Sequence, residues 1–231
     1  MAVVALLTAV GEDKVGDFIL SFLRKEHVNV DYIPKLQNAR TSAVVLGIQP
    51  PDKFPLVFYR DNCADNKITV DHVDKANISG SKLLEISGTA LNVEPSRSAV
   101  FHAVEIAKNH KVPVLLDLDF RADQWQDVRS FGLMTRSILP KTTIAIGTEE
   151  EILATMLHSS EQVTIKDQQI SAPEIKGDLP MAIKEILSLG VKTLIVKSGA
   201  DGVTIHNADG TVQKVPGFPV EVLNVLGAGD A

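Results

Sequence analysis

The sequence predicts an α/β fold, in which a doubly wound, mostly parallel sheet carries a small β-sheet lid. Three observations support this prediction. After Thr69, short apolar strands alternate with segments of helical periodicity, as in repeated βα units. Aromatic residues make up only 5% of the chain, so aliphatic residues must build the core, which suits a parallel sheet buried on both faces. Between residues 29 and 62, short β-branched segments follow one another without a helix.

The first third of the chain begins with an apolar stretch and continues into an amphipathic helix. Residues Ala2 to Leu7 are all apolar and predict a buried strand. Asp13 is the expected N-cap of the helix that follows. The apolar residues of this helix are three and four positions apart, which places them on one face: Val15, Phe18, Ile19, Phe22 and Leu23.

The segment from Asn29 to Asn62 predicts the lid. It contains three short stretches rich in β-branched residues, each of which predicts a strand: Val30–Ile33, Thr41–Ile48 and Leu56–Arg60. Gln49-Pro50-Pro51-Asp52 supplies a turn between the last two. We therefore expect a small antiparallel sheet that projects from the main body.

From Thr69 onward, strands and helices alternate. Strands are predicted at Leu83–Ile86, Val112–Leu118, Thr143–Ile146 and Thr193–Lys197, and helices at Ser96–Lys108, Gln126–Leu139, Glu149–Leu157 and Pro180–Leu189. Segment Ser159–Gly177 is polar and aperiodic, which predicts an exposed insertion. Ala208-Asp209-Gly210 predicts the turn of a hairpin formed by Val203–His206 and Thr211–Val215.

Length, charge and cysteine content exclude several classes of protein. With 231 residues the chain has the length of one domain, and no apolar run reaches the ~20 residues that cross a bilayer. The net charge of −6 disfavours a binder of duplex nucleic acid or of an anionic membrane surface. The single cysteine, Cys63, excludes a disulfide framework and makes a reducing cytosol the expected compartment.

The last residues carry the strongest functional signal. In Gly227-Ala228-Gly229-Asp230, two glycines one residue apart permit a tight turn whose backbone N–H groups can face an anion. An aspartate beside such a turn can take a proton from a hydroxyl that attacks a phosphoryl group. The same residues also fit a glycine turn in which Asp230 only caps a helix.

Three further polar segments follow predicted strands. Asp117-Leu118-Asp119-Phe120-Arg121 offers a guanidinium suited to phosphate or carboxylate oxygens, or else a surface salt bridge from Arg121 to Asp117 or Asp123. Gly147-Thr148-Glu149-Glu150-Glu151 offers carboxylates, which also complement the dipole of a helix N-terminus. Lys197-Ser198-Gly199-Ala200-Asp201-Gly202 offers a glycine loop, which as a bare pattern fits a simple turn.

Together these segments resemble the signatures of the ribokinase-like (PfkB) carbohydrate kinase family, over essentially the whole chain. The resemblance implies a ribokinase-like fold and ATP-dependent phosphorylation of a sugar hydroxyl with magnesium. It also implies that Asp230 is the catalytic base. Gly227, Ala228 and Gly229 would form the anion hole for the transferred phosphoryl group.

The resemblance assigns roles to the other segments as well. It implies that Glu151 helps to organise Mg²⁺ and its water, and that Arg121 reaches substrate or phosphate oxygens. Lys197, Gly199 and Gly202 would bind the nucleotide. The implied cofactors are therefore ATP and Mg²⁺.

The lid and the polar segments narrow the resemblance to the branch that phosphorylates 5-dehydro-2-deoxy-D-gluconate in inositol catabolism. Val225 and Thr148, which differ from the broad family pattern, are familiar in that branch, and Asp119 replaces the usual Asn. An acid needs a cationic partner, for which Arg60 on the lid, with Tyr59 beside it, is the candidate. Another keto-deoxy sugar acid, such as 2-keto-3-deoxygluconate, is the alternative substrate.

The expected partners are a small sugar acid and ATP, without nucleic acid or membrane, in the cytoplasm. The resemblance leaves room for a homodimer formed through the lid. The family domain extends beyond residues 1–231 at both ends, so we expect a partial kinase domain that on its own transfers phosphoryl groups poorly or not at all.

Two other nucleotide-binding signatures do not match the sequence. A P-loop would need Gly-x-x-x-x-Gly-Lys-[Ser/Thr] before a helix, but position 185 is Glu and a strand is predicted after Gly190. A dinucleotide-binding fold would need its glycine motif after an early strand, whereas Gly227-Ala228-Gly229 comes last.

Overall fold

The structure, a computed structural model, describes residues 3–47, 56–165 and 173–220. Two compact units are distinguished: residues 3–44, 58–86 and 90–114 form the first, and residues 45–47, 56–57, 87–89, 115–165 and 173–220 form the second. The elements in chain order are β1 (Val10–Gly11), α1 (Lys14–Lys25), β2 (Lys35–Leu36), β3 (Ala43–Leu46), β4 (Leu56–Tyr59), α2 (Val70–Val73), β5 (Leu84–Ser87), α3 (Ser96–Asn109), β6 (Val114–Asp117), α4 (Val128–Ile138), β7 (Ile144–Thr148), α5 (Glu149–Ala154), β8 (Val163–Thr164), β9 (Glu174–Ile175), α6 (Leu179–Ser188), β10 (Thr193–Lys197), β11 (Val203–Asn207) and β12 (Val212–Val215).

The second unit contains five neighbouring strands of a six-stranded sheet, in the order β12-β11-β10-β7-β6. β6, β7 and β10 run parallel, whereas β11 and β12 form an antiparallel edge. The register sets Asp117 opposite Ile146 and Lys197 opposite Thr148, so the carboxyl ends of the three parallel strands coincide. The α/β class with a mostly parallel sheet is therefore confirmed.

Apolar side chains from these strands and from α4, α5 and α6 fill the core of the second unit. The fully buried members include Leu116, Phe131, Ile138, Ala145, Ile152, Ile186 and Leu194. Phe120 and Trp125 pack on Phe131 with ring centroids 4.7 and 5.5 Å away, which anchors the loop after β6 to α4. Burial of each large apolar side chain stabilises the fold by about 1.5–3 kcal/mol.

In the first unit, α1 begins where the sequence predicts. Asp13 is its N-cap, because the carboxylate accepts a hydrogen bond of 2.8 Å from the backbone N–H of Gly16. The same carboxylate accepts from the backbone N–H and the hydroxyl of Thr41, each at 2.8 Å. The side chain therefore ties the start of α1 to the chain that leads into β3.

Most predicted elements after Thr69 are confirmed to within two residues at each end, although α5 ends at Ala154 rather than Leu157. Gly190 follows α6 with a φ of 113°, a left-handed conformation that suits a helix end. The predicted hairpin closes between β11 and β12 through a hydrogen bond of 3.0 Å from the Asn207 N–H to the carbonyl of Thr211. The described part of segment Ser159–Gly177 contains a short antiparallel pair, β8 and β9.

Two predictions in the first unit are wrong. The described residues of the expected strand Ala2–Leu7 form only one parallel bridge, from Ala5 to Asn29, and Val3 is 91% exposed. The expected strand Val30–Ile33 is a turn closed by a hydrogen bond from Ile33 N–H to the carbonyl of Val30, and the strand β2 comes later. Apolar and β-branched composition favours extended chain, but a strand also needs a neighbour along its length.

The apolar face of α1 is only partly buried. Leu20 lies in a small core with Val10 and Ile33, whereas Phe18 and Phe22 are exposed to solvent. In the lid, β3 and β4 form a two-stranded sheet, and the predicted turn at residues 49–52 lies outside the described residues. Among the residues that the structure describes, no helix has the length and apolar character needed to span a bilayer.

Candidate active site

The carboxyl ends of β6, β7 and β10 carry polar side chains on one edge of the sheet in the second unit. Asp117 ends β6, Thr148 ends β7 and Lys197 ends β10. The ammonium of Lys197 lies 3.6 Å from a carboxylate oxygen of Asp117, and both side chains are more than four-fifths buried. Ligands of open α/β sheets bind at this edge, because the loops that follow parallel strands converge there.

The loop after β6 places Arg121 at this edge. Leu118 and Phe120 are buried, whereas the side chains of Asp119 and Arg121 stay about a quarter exposed. The guanidinium of Arg121 lies 2.8 Å from a carboxylate oxygen of Asp119 and 3.5 Å from one of Glu151. The salt bridge that the sequence left open is therefore present, with Asp119 and Glu151 as partners.

Glu151 has both a capping role and a place in the site. Its carboxylate accepts a hydrogen bond of 2.8 Å from the backbone N–H of Thr148, whose hydroxyl accepts in return from the N–H of Glu151, at 3.3 Å. This reciprocal pair is a capping box at the start of α5. The other carboxylate oxygen faces Arg121, and the side chain is only 8% exposed.

Burial raises the pKa of the Glu151 carboxyl above its ordinary value of 4.5, because the charged form loses hydration. The hydrogen bond from Thr148 and the charges of Lys197 and Arg121 pull this pKa down, and the charge of Asp117 pushes it up. The charges at the sheet edge therefore act on the protonation of Glu151.

The glycine loop after β10 turns the chain into β11. Ser198 N–H donates to the carbonyl of Gly202 at 2.9 Å, and Gly202 N–H donates to that of Gly199 at 3.1 Å. Gly202 has a φ of 87°, and a Cβ there would collide with the carbonyl of Val215, so only glycine fits this turn. The turn interpretation of Gly202 is therefore correct, and its role toward a nucleotide stays a prediction.

Tyr59 and Arg60, the predicted readers of an acid, lie in the first unit. Tyr59 is largely exposed at the end of β4. The guanidinium of Arg60 forms an ion pair with Asp65 and donates a hydrogen bond of 2.8 Å to the side chain of Asn66; it is 20% exposed. Arg60 is thus already held by neighbours that fix its direction.

The structure brings together Arg121, Glu151 and Lys197. The catalytic residues predicted from the last motif, Gly227, Ala228, Gly229 and Asp230, lie outside the described residues. The sequence predicted no role for Ser87 and Thr89, whose hydroxyls lie 3.0 and 3.1 Å from the carboxylate of Asp119. The one signal that could have indicated them is their place directly at the end of a predicted strand.

This arrangement suits an anionic ligand together with a hydrated cation. Lys197 and Arg121 are two cations beside three carboxylates, and a phosphate or carboxylate group can bind such cations. Mg²⁺ usually takes one or two carboxylates and fills its shell with water and phosphate oxygens. Within the described ranges no three His, Cys, Asp or Glu side chains are grouped to hold a metal. Glu151 and Asp117 are carboxylates of this edge that would contact a hydrated ion bound to nucleotide phosphates.

Comparison with known families gives one match across the chain. The family described as pfkB family carbohydrate kinase matches residues 2–231. The chain is 30% identical over 229 residues to a 5-dehydro-2-deoxygluconokinase of Clostridium perfringens, a match that covers 99% of this chain and 64% of the relative. It is 32% identical over 223 residues to the enzyme of the same name from Bacillus anthracis, which covers 96% of this chain and 63% of that protein.

A solved structure shares the fold. A protein assigned as ribokinase II from E. coli, in complex with ATP and Mg²⁺, is 25% identical and superposes with a TM-score of 0.80. The match covers 98% of this chain and 66% of that one. The ribokinase-like fold predicted from the sequence is therefore confirmed, and the chain spans less than two thirds of the length of the relatives it matches.

Proposed function

Because the chain belongs to the pfkB family of carbohydrate kinases, we propose that the complete protein phosphorylates 5-dehydro-2-deoxy-D-gluconate with ATP. The reaction adds the γ-phosphoryl group to the terminal hydroxyl of the acid. The proposal concerns a protein of the length of its relatives, of which this chain covers 64%. Two relatives named for this activity support the choice of substrate, at 30% and 32% identity.

The observation that carries the proposal is the group of Arg121, Glu151 and Lys197 at the carboxyl edge of the parallel strands. Two cations at this edge favour a ligand that brings phosphate or carboxylate oxygens. In our proposal Lys197 holds phosphate oxygens of ATP, while Arg121 holds an oxygen of the acid or of the transferred group. Gly199 and Gly202 let the loop after β10 pass close to the nucleotide.

Glu151 is proposed to fix water next to the nucleotide phosphates, with its other oxygen kept in place by Thr148. When bound, Mg²⁺ supplies positive charge that draws the phosphate oxygens together and stabilises the charge that develops during transfer. The residues of the chain contribute position and electrostatics, which account for most of the catalysis of phosphoryl transfer.

Asp230 is the proposed general base. The oxygen of the substrate hydroxyl bonds to the γ-phosphorus, the bond from that phosphorus to the ADP oxygen breaks, and the hydroxyl proton passes to the Asp230 carboxylate. The backbone of Gly227, Ala228 and Gly229 is proposed to stabilise the charge on the transferred group.

In the complete protein, Asp230→Asn is expected to lower kcat by about 10²–10⁴-fold, because a positioned base contributes that much. Binding of ATP, measured by calorimetry, should stay within about twofold, since the substitution keeps the shape of the side chain. Turnover near that of the wild-type protein would remove Asp230 from this role.

The substrate acid distinguishes this proposal from a general sugar kinase. Arg60 and Tyr59 of the lid are the proposed readers of its carboxylate. We place the reaction in inositol catabolism and in the cytoplasm, and expect a homodimer formed through the lid. The dimer is supported by four exposed apolar side chains on β3 and β4: Val44, Val45, Val57 and Tyr59.

The test is a coupled assay of ADP release by the complete protein with three acceptors, each at the same concentration. We expect kcat/KM to be highest for 5-dehydro-2-deoxy-D-gluconate, lower for 2-keto-3-deoxygluconate and lowest for a neutral hexose. A preference for 2-keto-3-deoxygluconate would shift the assignment to that acid, and a preference for the neutral sugar would contradict recognition of a carboxylate. No turnover of any acceptor would overturn the proposed function.

A further inference from the structure

Two hydroxyls at the carboxyl end of β5, those of Ser87 and Thr89, contact the carboxylate that holds Arg121. Ser87 Oγ and Thr89 Oγ1 lie 3.0 and 3.1 Å from Asp119 Oδ2, and the two hydroxyl oxygens are 2.7 Å apart. The other oxygen of that carboxylate, Oδ1, lies 2.8 Å from Nη2 of Arg121. The four side chains thus form a chain of contacts from the hydroxyl pair to the guanidinium, entirely within the second unit.

The backbone is shaped to make these contacts. Gly88 separates the two hydroxyl residues, and a Cβ there would collide with the carbonyl oxygen of Leu118, so the loop lies directly against the chain next to Asp119. Asp119 has a φ of 41°, a left-handed conformation that aspartate adopts more readily than most residues. This unusual conformation aims its carboxylate at the hydroxyl pair and at Arg121 together.

The two hydroxyls support Asp119 redundantly. Each hydroxyl has one proton, and these two protons serve three close contacts: one between Ser87 and Thr89 and one from each to Asp119. If one proton lies between the hydroxyls, the other still points at Oδ2. In every arrangement that satisfies the network, at least one hydroxyl therefore donates to Asp119.

Arg121 in turn depends on Asp119 for its direction. Its Nη1 group donates to the carbonyl of Phe120 at 3.2 Å and lies 3.5 Å from Glu151 Oε1, while Nη2 faces Asp119. Fixing this flexible side chain before a ligand arrives lowers the entropy lost on binding. A carboxylate that could rotate freely would remove one of these constraints.

We propose that Ser87 and Thr89 are positioning residues, which orient the Arg121 guanidinium toward its anionic ligand by holding the Asp119 carboxylate. The inference rests on the proposed function, in which Arg121 contacts an oxygen of the acid or of the transferred phosphoryl group. Neither hydroxyl touches the reacting atoms in this account.

The kinetic test uses the complete protein with Ser87→Ala, Thr89→Val and the double variant, and Thr89→Ser as the matched control that keeps a hydroxyl. Because the support is redundant, each single variant should change kcat/KM by less than about threefold, and the double variant should lower it about tenfold. Thr89→Ser should behave as the wild-type protein. A double variant with unchanged kcat/KM would overturn the proposal.

A double-mutant cycle with Arg121→Ala separates positioning from a general loss of structure. If the hydroxyls act through Arg121, their removal should have no further effect on kcat/KM once Arg121 is absent. The same fold-loss in both backgrounds would show that the hydroxyls support the fold rather than the guanidinium. Melting temperatures of all variants accompany the cycle.

A second measurement does not depend on activity. With ¹⁵N-labelled arginine, rotation of the Arg121 guanidinium about its Nε–Cζ bond should be slow in the wild-type protein and faster in the Ser87→Ala, Thr89→Val variant. Equal rotation rates would overturn the positioning role. If the wild-type protein phosphorylates no acceptor, the proposed function fails, and the rotation rates still decide whether the hydroxyls orient Arg121.

Discussion

Glu151 illustrates how one residue can stabilise an element and serve a site. One carboxylate oxygen completes the capping box of α5, and the other faces Arg121. The sequence interpretation left a choice between a cap and a function, but the two oxygens of a carboxylate permit both. The cap fixes the direction of the side chain, so the second oxygen is presented to the sheet edge without a further loss of entropy.

The burial of Glu151 predicts a dependence of stability on pH. Since its pKa in the folded protein is raised above 4.5, the folded state binds a proton more tightly than the unfolded state does. The stability that this proton confers is complete below pH 4.5 and is lost as the pH rises through the raised pKa. Glu151→Gln removes this titration and keeps a carbonyl oxygen for Thr148.

We therefore expect the melting temperature of Glu151→Gln, relative to the wild-type protein, to increase from pH 4 to pH 8. Thermal unfolding of both proteins at five pH values measures this difference. Glu150→Gln, one residue earlier in α5, is the control for the loss of a carboxylate from the first turn of the same helix. A difference between Glu151→Gln and wild type that is independent of pH would contradict the raised pKa.

Arg60 gives a prediction about the substrate. If it reads the carboxylate of the acid, Arg60→Ala should raise the KM for the acid about tenfold and leave the KM for ATP nearly unchanged. Asp65 is the matched position, because it pairs with Arg60. Asp65→Asn keeps the guanidinium but weakens its hold, so a smaller rise in the same KM is expected.

Initial rates, measured while the concentrations of the acid and of ATP are each varied, give the two KM values for every variant. Equal changes in the two KM values for Arg60→Ala would mean that this arginine does not read the carboxylate. A loss of melting temperature alone would assign Arg60 to the structure of the chain between β4 and α2.

At the scale of elements, the start of α1 depends on a contact between distant parts of the sequence. Asp13 caps the helix and also holds Thr41, 28 residues later. Asp13→Ala should lower the free energy of unfolding by about 1–2 kcal/mol, because the cap is lost. Asp13→Asn keeps one acceptor oxygen and should recover part of this loss.

Urea unfolding of the two variants, with Thr41→Val as a further control, measures these changes. Thr41→Val removes the hydroxyl but keeps the backbone N–H that donates to Asp13, so it should cost less than Asp13→Ala. If Asp13→Ala and Asp13→Asn were equally stable, the carboxylate oxygen would not act as a cap.

The elements also show what the sequence can predict. Helices such as α1 and α4 were predictable because their caps and periodicity lie within a few residues of one another. Whether residues Ala2–Leu7 form a strand could not be predicted in the same way, because strand pairing depends on a neighbour that is distant in the sequence. The contact from Ser87 to Asp119 spans 32 residues, so no local pattern could indicate it.

For the whole molecule, the net charge of −6 affects how an anionic ligand can bind. An acidic protein repels anions at long range, so an anionic ligand must be captured by local groups. Lys197 and Arg121 provide such groups, and both are largely shielded from solvent beside carboxylates. Their interactions are therefore screened by salt less than those of surface charges.

Binding of ATP should accordingly stabilise the complete protein, and Lys197 should carry much of that effect. At an ATP concentration 100 times its Kd, the free energy of unfolding rises by about 2.7 kcal/mol, and each 1 kcal/mol is about 2–4 °C in Tm. Lys197→Met should lose more than half of this shift. Lys192→Met is the control, because Lys192 is exposed and lies next to the opposite end of β10. This variant removes the same charge and should keep the full Tm shift on addition of ATP. If ATP raised the Tm of both variants equally, Lys197 would not bind the nucleotide. The loss of a positive charge would then have the same effect at the sheet edge as at an exposed position.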